Sequence, residues 1–140
     1  MRLVLDTNVF VFGFLDLAQG TTSSETRILE RLLKKDHTLL LSEIIEAQLV
    51  SVILRVKDKD FAGLIRHMIW TDFDAEFVDI RAQHRDSPSS IPRKDIDIYL
   101  TALHGKADAL ITNDRAFLSS AKTQGRFACL TPLEFEERFL

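Results

Sequence analysis

Short apolar runs recur along this chain at Leu3 to Leu5, Thr38 to Leu41, Glu76 to Ile80, Ala109 to Thr112 and Phe127 to Leu130, and segments of helical periodicity separate them. Strands kept apart by helices cannot close as hairpins. They pair in parallel, through right-handed crossovers that lay helices on both faces of the sheet. The expected fold class is therefore α/β, a three-layer α/β/α sandwich around a central parallel sheet of about four to five strands. Thr21 to Ser24 caps one helix, running to about Lys35 with Ile28, Leu29, Leu32 and Leu33 inward. Ser42 caps another, whose Ile45, Leu49, Val52, Ile53 and Val56 share a face. Further helices are expected from about Asp58 to Trp70, from about Lys94 to Gly105 and after Asn113-Asp114. Thr131-Pro132-Leu133-Glu134 supplies a cap, a first-turn proline and a capping-box glutamate for the last one. The element order reads βαβααβαβαβα, and only His84 to Lys94, with Pro88, Pro92 and three serines, reads as a longer loop.

With 46% hydrophobic residues among 140, such a sheet can bury a core without disulfides or a structural metal. No repeat, low-complexity tract or linker interrupts it, so one domain is expected over residues 1–140. Lys and Arg number 18 against 21 Asp and Glu, a net charge of -3, so any nucleic-acid contact is local. Cys129 is the only cysteine, which excludes an intrachain disulfide and multi-cysteine zinc sites and fits a reducing compartment, the cytoplasm. Asp6 breaks the first apolar run well short of a signal-peptide core, and no membrane span is expected. Neither GxGxxG nor GxxxxGK[ST] occurs, which argues against a nucleotide site of those types.

Ligands of parallel sheets bind beyond the carboxyl ends of the strands. Asp6 ends the first strand and Asp114 follows the Ala109 to Thr112 strand, so the two carboxylates share a crevice if those strands are neighbours. Converging carboxylates repel unless a cation or a raised pKa compensates, and oxygen ligands favour Mg²⁺ or Mn²⁺. The plainer reading is that both aspartates only cap the next helix. Asp95 and Asp97 offer a third acid, but two residues on a regular helix are about 200° apart, so only one can face the crevice. Spacing leaves the choice open.

Leu5-Asp6-Thr7-Asn8-Val9, Ser42 opening an apolar helix, Asp95 seven residues before Ala102, and Ala107-Asp108-Ala109-Leu110-Ile111-Thr112-Asn113-Asp114 together resemble a PIN domain. This is the nuclease fold of VapC-type toxins in bacterial toxin–antitoxin pairs, and the resemblance spans essentially the whole chain. It implies a metal-dependent endoribonuclease, a hydrolase that cleaves RNA phosphodiester bonds with water activated by Mg²⁺ or Mn²⁺. Carried over by position, Asp6, Asp95 and Asp114 fall on the family's catalytic and metal-binding aspartates, with Asn8 and Thr112 on the polar positions beside them. A cognate antitoxin protein and a homodimer are implied as partners. Where the family places a glutamate six residues after the serine, this chain has Gln48, and Glu46 is the neighbour that could shift to replace it. The departure suggests weakened catalysis, or a PIN-like module that binds RNA or protein without cutting. A phosphatase of the haloacid dehalogenase type also opens on a strand-end aspartate, but its second acid two residues on is here Asn8.

Arg81, His84, Arg85, Arg93 and Lys94 crowd beside Asp95, and Arg85, Arg93 and Lys94 are the candidates to hold substrate phosphates. Ser42 has no histidine or lysine at a spacing that would activate it, so it reads as a cap. Phe10, Phe12 and Phe14 follow Asp6 closely and read either as core or as an apolar surface for a partner.

Overall fold

The computed structural model describes residues 1–81 and 87–140. Among them run five strands, β1 (Arg2–Leu5), β2 (Thr38–Leu41), β3 (Asp74–Phe77), β4 (Ala109–Ile111) and β5 (Ala128–Leu130). The helices are α1 (Thr7–Gln19), α2 (Ser24–Leu33), α3 (Glu43–Val56), α4 (Lys59–Asp72), α5 (Ile96–His104), α6 (Arg115–Gln124) and α7 (Pro132–Phe139), with a 3₁₀ turn at Arg93–Asp95 before α5. All strand pairs are parallel, in the order β3-β2-β1-β4-β5. The expected α/β/α architecture is the one found.

β1 lies at the centre, and Leu3, Val4 and Leu5 are wholly buried, as are Ala109, Leu110 and Ile111 of β4. Strands covered on both faces read as unbroken apolar runs rather than alternating ones, which is why they were visible in the sequence. Each Leu, Ile or Val among them contributes about 1.5–3 kcal/mol by leaving water. The helix starts follow local chemistry. Ser23 and Thr131 form capping boxes with Thr26 and Glu134, and the Ser42, Asp58 and Asp114 side chains accept from backbone N–H groups of the first turns of α3, α4 and α6. Ser42 is thus the cap its surroundings predicted.

Two elements differ from the sequence reading. One helix was expected between the first two strands, and the structure has two, α1 and α2. The segment Val9 to Leu17 is apolar on nearly every side and so carries no 3.6-residue signal; such a helix is stable only when buried. Val9, Phe10, Val11 and Phe14 are in the core, where Phe10 stacks on Phe14 and Phe14 on Phe73, while Phe12 is 51% exposed. The three phenylalanines therefore do not form one partner surface. Gly13 permits the close approach of α1 to α2, since a Cβ there would stand 2.6 Å from Leu29 Cδ1.

The third strand was expected at Glu76 to Ile80 and spans Asp74–Phe77. Among the described residues it pairs only with β2, from Thr38 opposite Asp74 to Leu41 opposite Phe77. Val78 and Ile80, whose apolarity suggested a strand, are buried as the chain leaves the sheet edge. Among the described residues no helix is long and apolar enough to cross a membrane. Arg85 and His84 of the expected basic patch lie outside the described residues.

The buried α1 generates a direct contrast. Phe10→Ala is expected to lower unfolding free energy by about 3–5 kcal/mol, and Phe12→Ala to change it by less than about 0.5 kcal/mol, both read by urea denaturation. Equal effects would place Phe12 in the core and misassign the helix.

Candidate active site

β1 pairs with β4 in register, Leu5 opposite Ile111, so the residues that follow these strands emerge side by side. This is where successive strands depart to opposite sides of the sheet, with β2 on one flank of β1 and β4 on the other. Such a switch point opens a crevice at the carboxyl ends of parallel strands. Asp6 occupies it from β1, its backbone N–H donating to the Ile111 carbonyl at 2.9 Å. Asp114 occupies it from β4, at the N-cap of α6.

Thr112 ties the two acids together. Its buried hydroxyl donates to Asp6 Oδ2 at 2.7 Å and accepts the backbone N–H of Asp114 at 3.0 Å. Asp114 uses Oδ1 to accept from the Phe117 N–H at 3.1 Å, and its Oδ2 receives the Lys94 ammonium at 2.9 Å. Asp114 is therefore a helix cap and a member of the crevice at once. Asp6 sits at the N-cap position of α1, yet no cap hydrogen bond engages its side chain.

Asp95 comes from the 3₁₀ turn at the head of α5 and is 5% exposed, with its Oδ2 buried and without a hydrogen-bond partner. An unpartnered buried carboxylate oxygen costs several kcal/mol if charged, so its presence calls for a compensating group. Burial, with Asp6 close by, pushes the Asp95 carboxyl from an ordinary 3.8 to about 6. Burial also raises Asp6, against the hydrogen bond from Thr112. Asp114 is held low, first by Lys94 and then by the Phe117 N–H. The cleft around these groups encloses about 400 Å³ and is lined by Asp6, Thr7, Asn8, Gln48, Val52, Arg55, Lys94, Asp95, Ile98 and Asp114.

A family model of the PIN domain matches residues 2–116, which include all three aspartates. The chain belongs to the PIN-domain family. Among solved structures it is similar to VapBC2 from Rickettsia felis, crystallised bound to a DNA fragment from their promoter. That match has 21% identity and a TM-score of 0.67 and covers 94% of this chain and 98% of the other. FitAcB from Neisseria gonorrhoeae is similar at 20% identity and a TM-score of 0.57, covering 94% and 98%. At these identities the likeness is one of fold. No curated protein matches.

On this PIN scaffold the sequence-derived residues separate clearly. Asp6, Asp95, Asp114, Asn8, Gln48 and Lys94 line the cleft, and Thr112 supports it from beneath. Asp97 and Arg93 do not line it. The choice between Asp95 and Asp97 falls to Asp95, because the 3₁₀ turn aims it at the crevice before the regular helix begins. Gln48 faces Thr7, whose hydroxyl donates to its Oε1 at 3.3 Å. Glu46 cannot take its place: it accepts from Arg66 Nε at 2.8 Å and Trp70 Nε1 at 2.7 Å, which pins it between α3 and α4. Two polar lining residues, Thr7 and Arg55, and two apolar ones, Val52 and Ile98, are not among the site residues the sequence suggests. Arg55 is seven residues after Gln48, two turns along the same face of α3, and that spacing is the signal that would have found it.

Among the described residues no group of three His, Cys, Asp or Glu side chains stands ready to coordinate an ion. The donor chemistry nonetheless suits a hard divalent cation: the acids offer oxygens only, one is orphaned, and one carries an ammonium as its counter-charge. The residues fit the group the family implies.

The elevated Asp95 carboxyl makes a prediction about stability. Below about pH 4 it is protonated in both folded and unfolded chains and contributes nothing. Between about pH 4 and 6 the unfolded chain releases its proton first, so stability falls as pH rises, and the penalty is complete above the folded value of about 6. In EDTA, Asp95→Asn is therefore expected to stabilise the protein by about 1–3 kcal/mol at pH 8 and to be neutral at pH 4, by urea denaturation. A loss at pH 8 would contradict the assignment of an uncompensated buried acid.

Proposed function

We propose that this PIN-domain protein is a metal-dependent endoribonuclease that hydrolyses RNA phosphodiester bonds with Mg²⁺ or Mn²⁺, and that it is the cytoplasmic toxin of a toxin–antitoxin pair. The observation that carries the reading is the orphaned, buried Oδ2 of Asp95 in the same cleft as Asp6 and Asp114. Metal-ion binding offers a general way to make such a constellation favourable at neutral pH. Asp6 and Asp114 would hold the ion, with Asp95 completing its shell directly or through water. A divalent cation, when bound, supplies charge compensation for the scissile phosphate and acidifies water.

The chain's own residues do the rest. Thr112 fixes the Asp6 carboxylate and so sets its orientation. Asn8 and Thr7 line the cleft and would orient water or a phosphate oxygen, and Arg55 and Lys94 would supply positive charge where the total is acidic. Ser42 is not suited to covalent catalysis, being buried with its Oγ accepting from the Ile45 N–H as a cap and from the Thr101 hydroxyl.

The protein partner follows from a second feature. Beside the cleft, an apolar groove between α3 and α4 of about 780 Å³ is lined by Ala47, Val50, Leu54, Trp70 and Phe77, and Arg55 lines both it and the cleft. A small antitoxin with an apolar segment suits this groove, in keeping with the VapBC2 and FitAcB structures whose fold the chain shares.

Gln48 supports a second reading, a PIN module with weakened catalysis, because the glutamine faces the cleft and Glu46 is engaged elsewhere. One experiment separates them: cleavage of a mixed single-stranded RNA pool, run beside Mn²⁺ titration calorimetry. The nuclease reading expects metal-dependent cleavage that falls at least about a hundredfold in Asp6→Asn and Asp114→Asn. It expects Gln48→Glu to bind Mn²⁺ more tightly, since it adds a negative charge. Metal binding without cleavage in the native chain, restored by Gln48→Glu, selects the weakened module. Neither binding nor cleavage in any form overturns both.

A further inference from the structure

We infer that Lys94 is a built-in counter-ion that competes with the divalent cation for Asp114, so that metal entry requires its ammonium to leave the cleft. The inference rests on the metal-site reading above. Lys94 belongs to the same 3₁₀ turn as Asp95, so the turn that delivers an acid also delivers a cation. The two side chains have opposite fates: Asp95 is buried, whereas Lys94 is 73% exposed and reaches back to Asp114 Oδ2 at 2.9 Å. The Asp114 Oδ1 is already committed to the α6 cap, so Oδ2 is the oxygen it has to offer an ion, and the ammonium sits on it.

Three carboxylates around one cleft with no counter-charge would repel, and an ammonium on a flexible stem is the least costly local remedy. It is incomplete, because Asp95 Oδ2 keeps no partner. That unpartnered buried oxygen, on a residue only 5% exposed, is the independent sign that the cleft is built for something more than this ion pair. A divalent ion satisfies what one ammonium cannot, and it does so at the same Asp114 oxygen. Once displaced, the Lys94 side chain stays at the mouth of the cleft on an exposed stem, where it can meet a substrate phosphate. One residue thereby offsets the charge of Asp114 before an ion binds and contributes to substrate binding afterwards.

The test is Mn²⁺ titration calorimetry, with metal-induced melting shifts as a second readout, on the native chain, Lys94→Met and Lys94→Arg. Removing the competing charge should tighten Mn²⁺ binding in Lys94→Met roughly tenfold and enlarge its melting shift on adding Mn²⁺. Lys94→Arg keeps the charge and should bind like the native chain or more weakly. If Lys94→Met binds Mn²⁺ no more tightly than the native chain, the counter-ion role is wrong while the metal site stands. If none of the three binds Mn²⁺, the metal-site reading itself falls and takes this inference with it.

Discussion

The parallel pairing of β1 with β4 carries the rest of the site. Register along a strand is quantised, and a slip of one residue would turn each side chain to the other face. With Leu5 opposite Ile111, Asp6 and Thr112 come out level, and the Thr112 hydroxyl reaches both Asp6 and the backbone of Asp114. That single hydroxyl links two acids 108 residues apart in sequence through groups that are buried and polar. Everything else in the cleft is arranged around this fixed pair: the 3₁₀ turn adds Asp95 and Lys94, and α3 adds Gln48 and Arg55.

The arrangement is electrostatically unfavourable by itself. Burial raises Asp6 and Asp95, and among the described residues Lys94 is the cation that pairs directly with one of the three acids. Apart from the α6 cap that Asp114 provides, a fold gains little from such a cluster, since apolar residues at Asp6 and Asp95 would pack without the desolvation cost of buried acids. Local conflict of this kind, in a core otherwise built of Leu, Ile, Val and Phe, marks the place where function rather than stability sets the sequence.

The central strands were legible because they are buried on both faces and appear as unbroken apolar runs, whereas the exposed edge strand β3 starts two residues before the apolar stretch that suggested it. Asp6 and Asp114 were legible because strand ends punctuate those runs. α1 was hidden for the opposite reason: a helix apolar on nearly every side shows no period, and Val9 to Leu17 offered none. Asp95 could not be told from Asp97 by spacing on a regular helix, because the turn that aims it is 3₁₀. Arg55 was legible in principle from its seven-residue offset to Gln48. The Lys94–Asp114 pair was not, since it joins residues 20 apart whose meeting depends on the sheet order. Gln48 was recognised as a departure, and only the structure showed that Glu46 is held by Arg66 and Trp70 and cannot compensate.

The central claim is that the three aspartates form one divalent-cation site. Anomalous diffraction at the manganese edge from crystals soaked in Mn²⁺ tests it most directly. The account predicts a peak within coordination distance of Asp6, Asp114 and the Asp95 carboxylate, or a water it holds, with the Lys94 ammonium withdrawn from Asp114. A saturating soak that leaves the cleft without a peak and Lys94 still seated on Asp114 would contradict it.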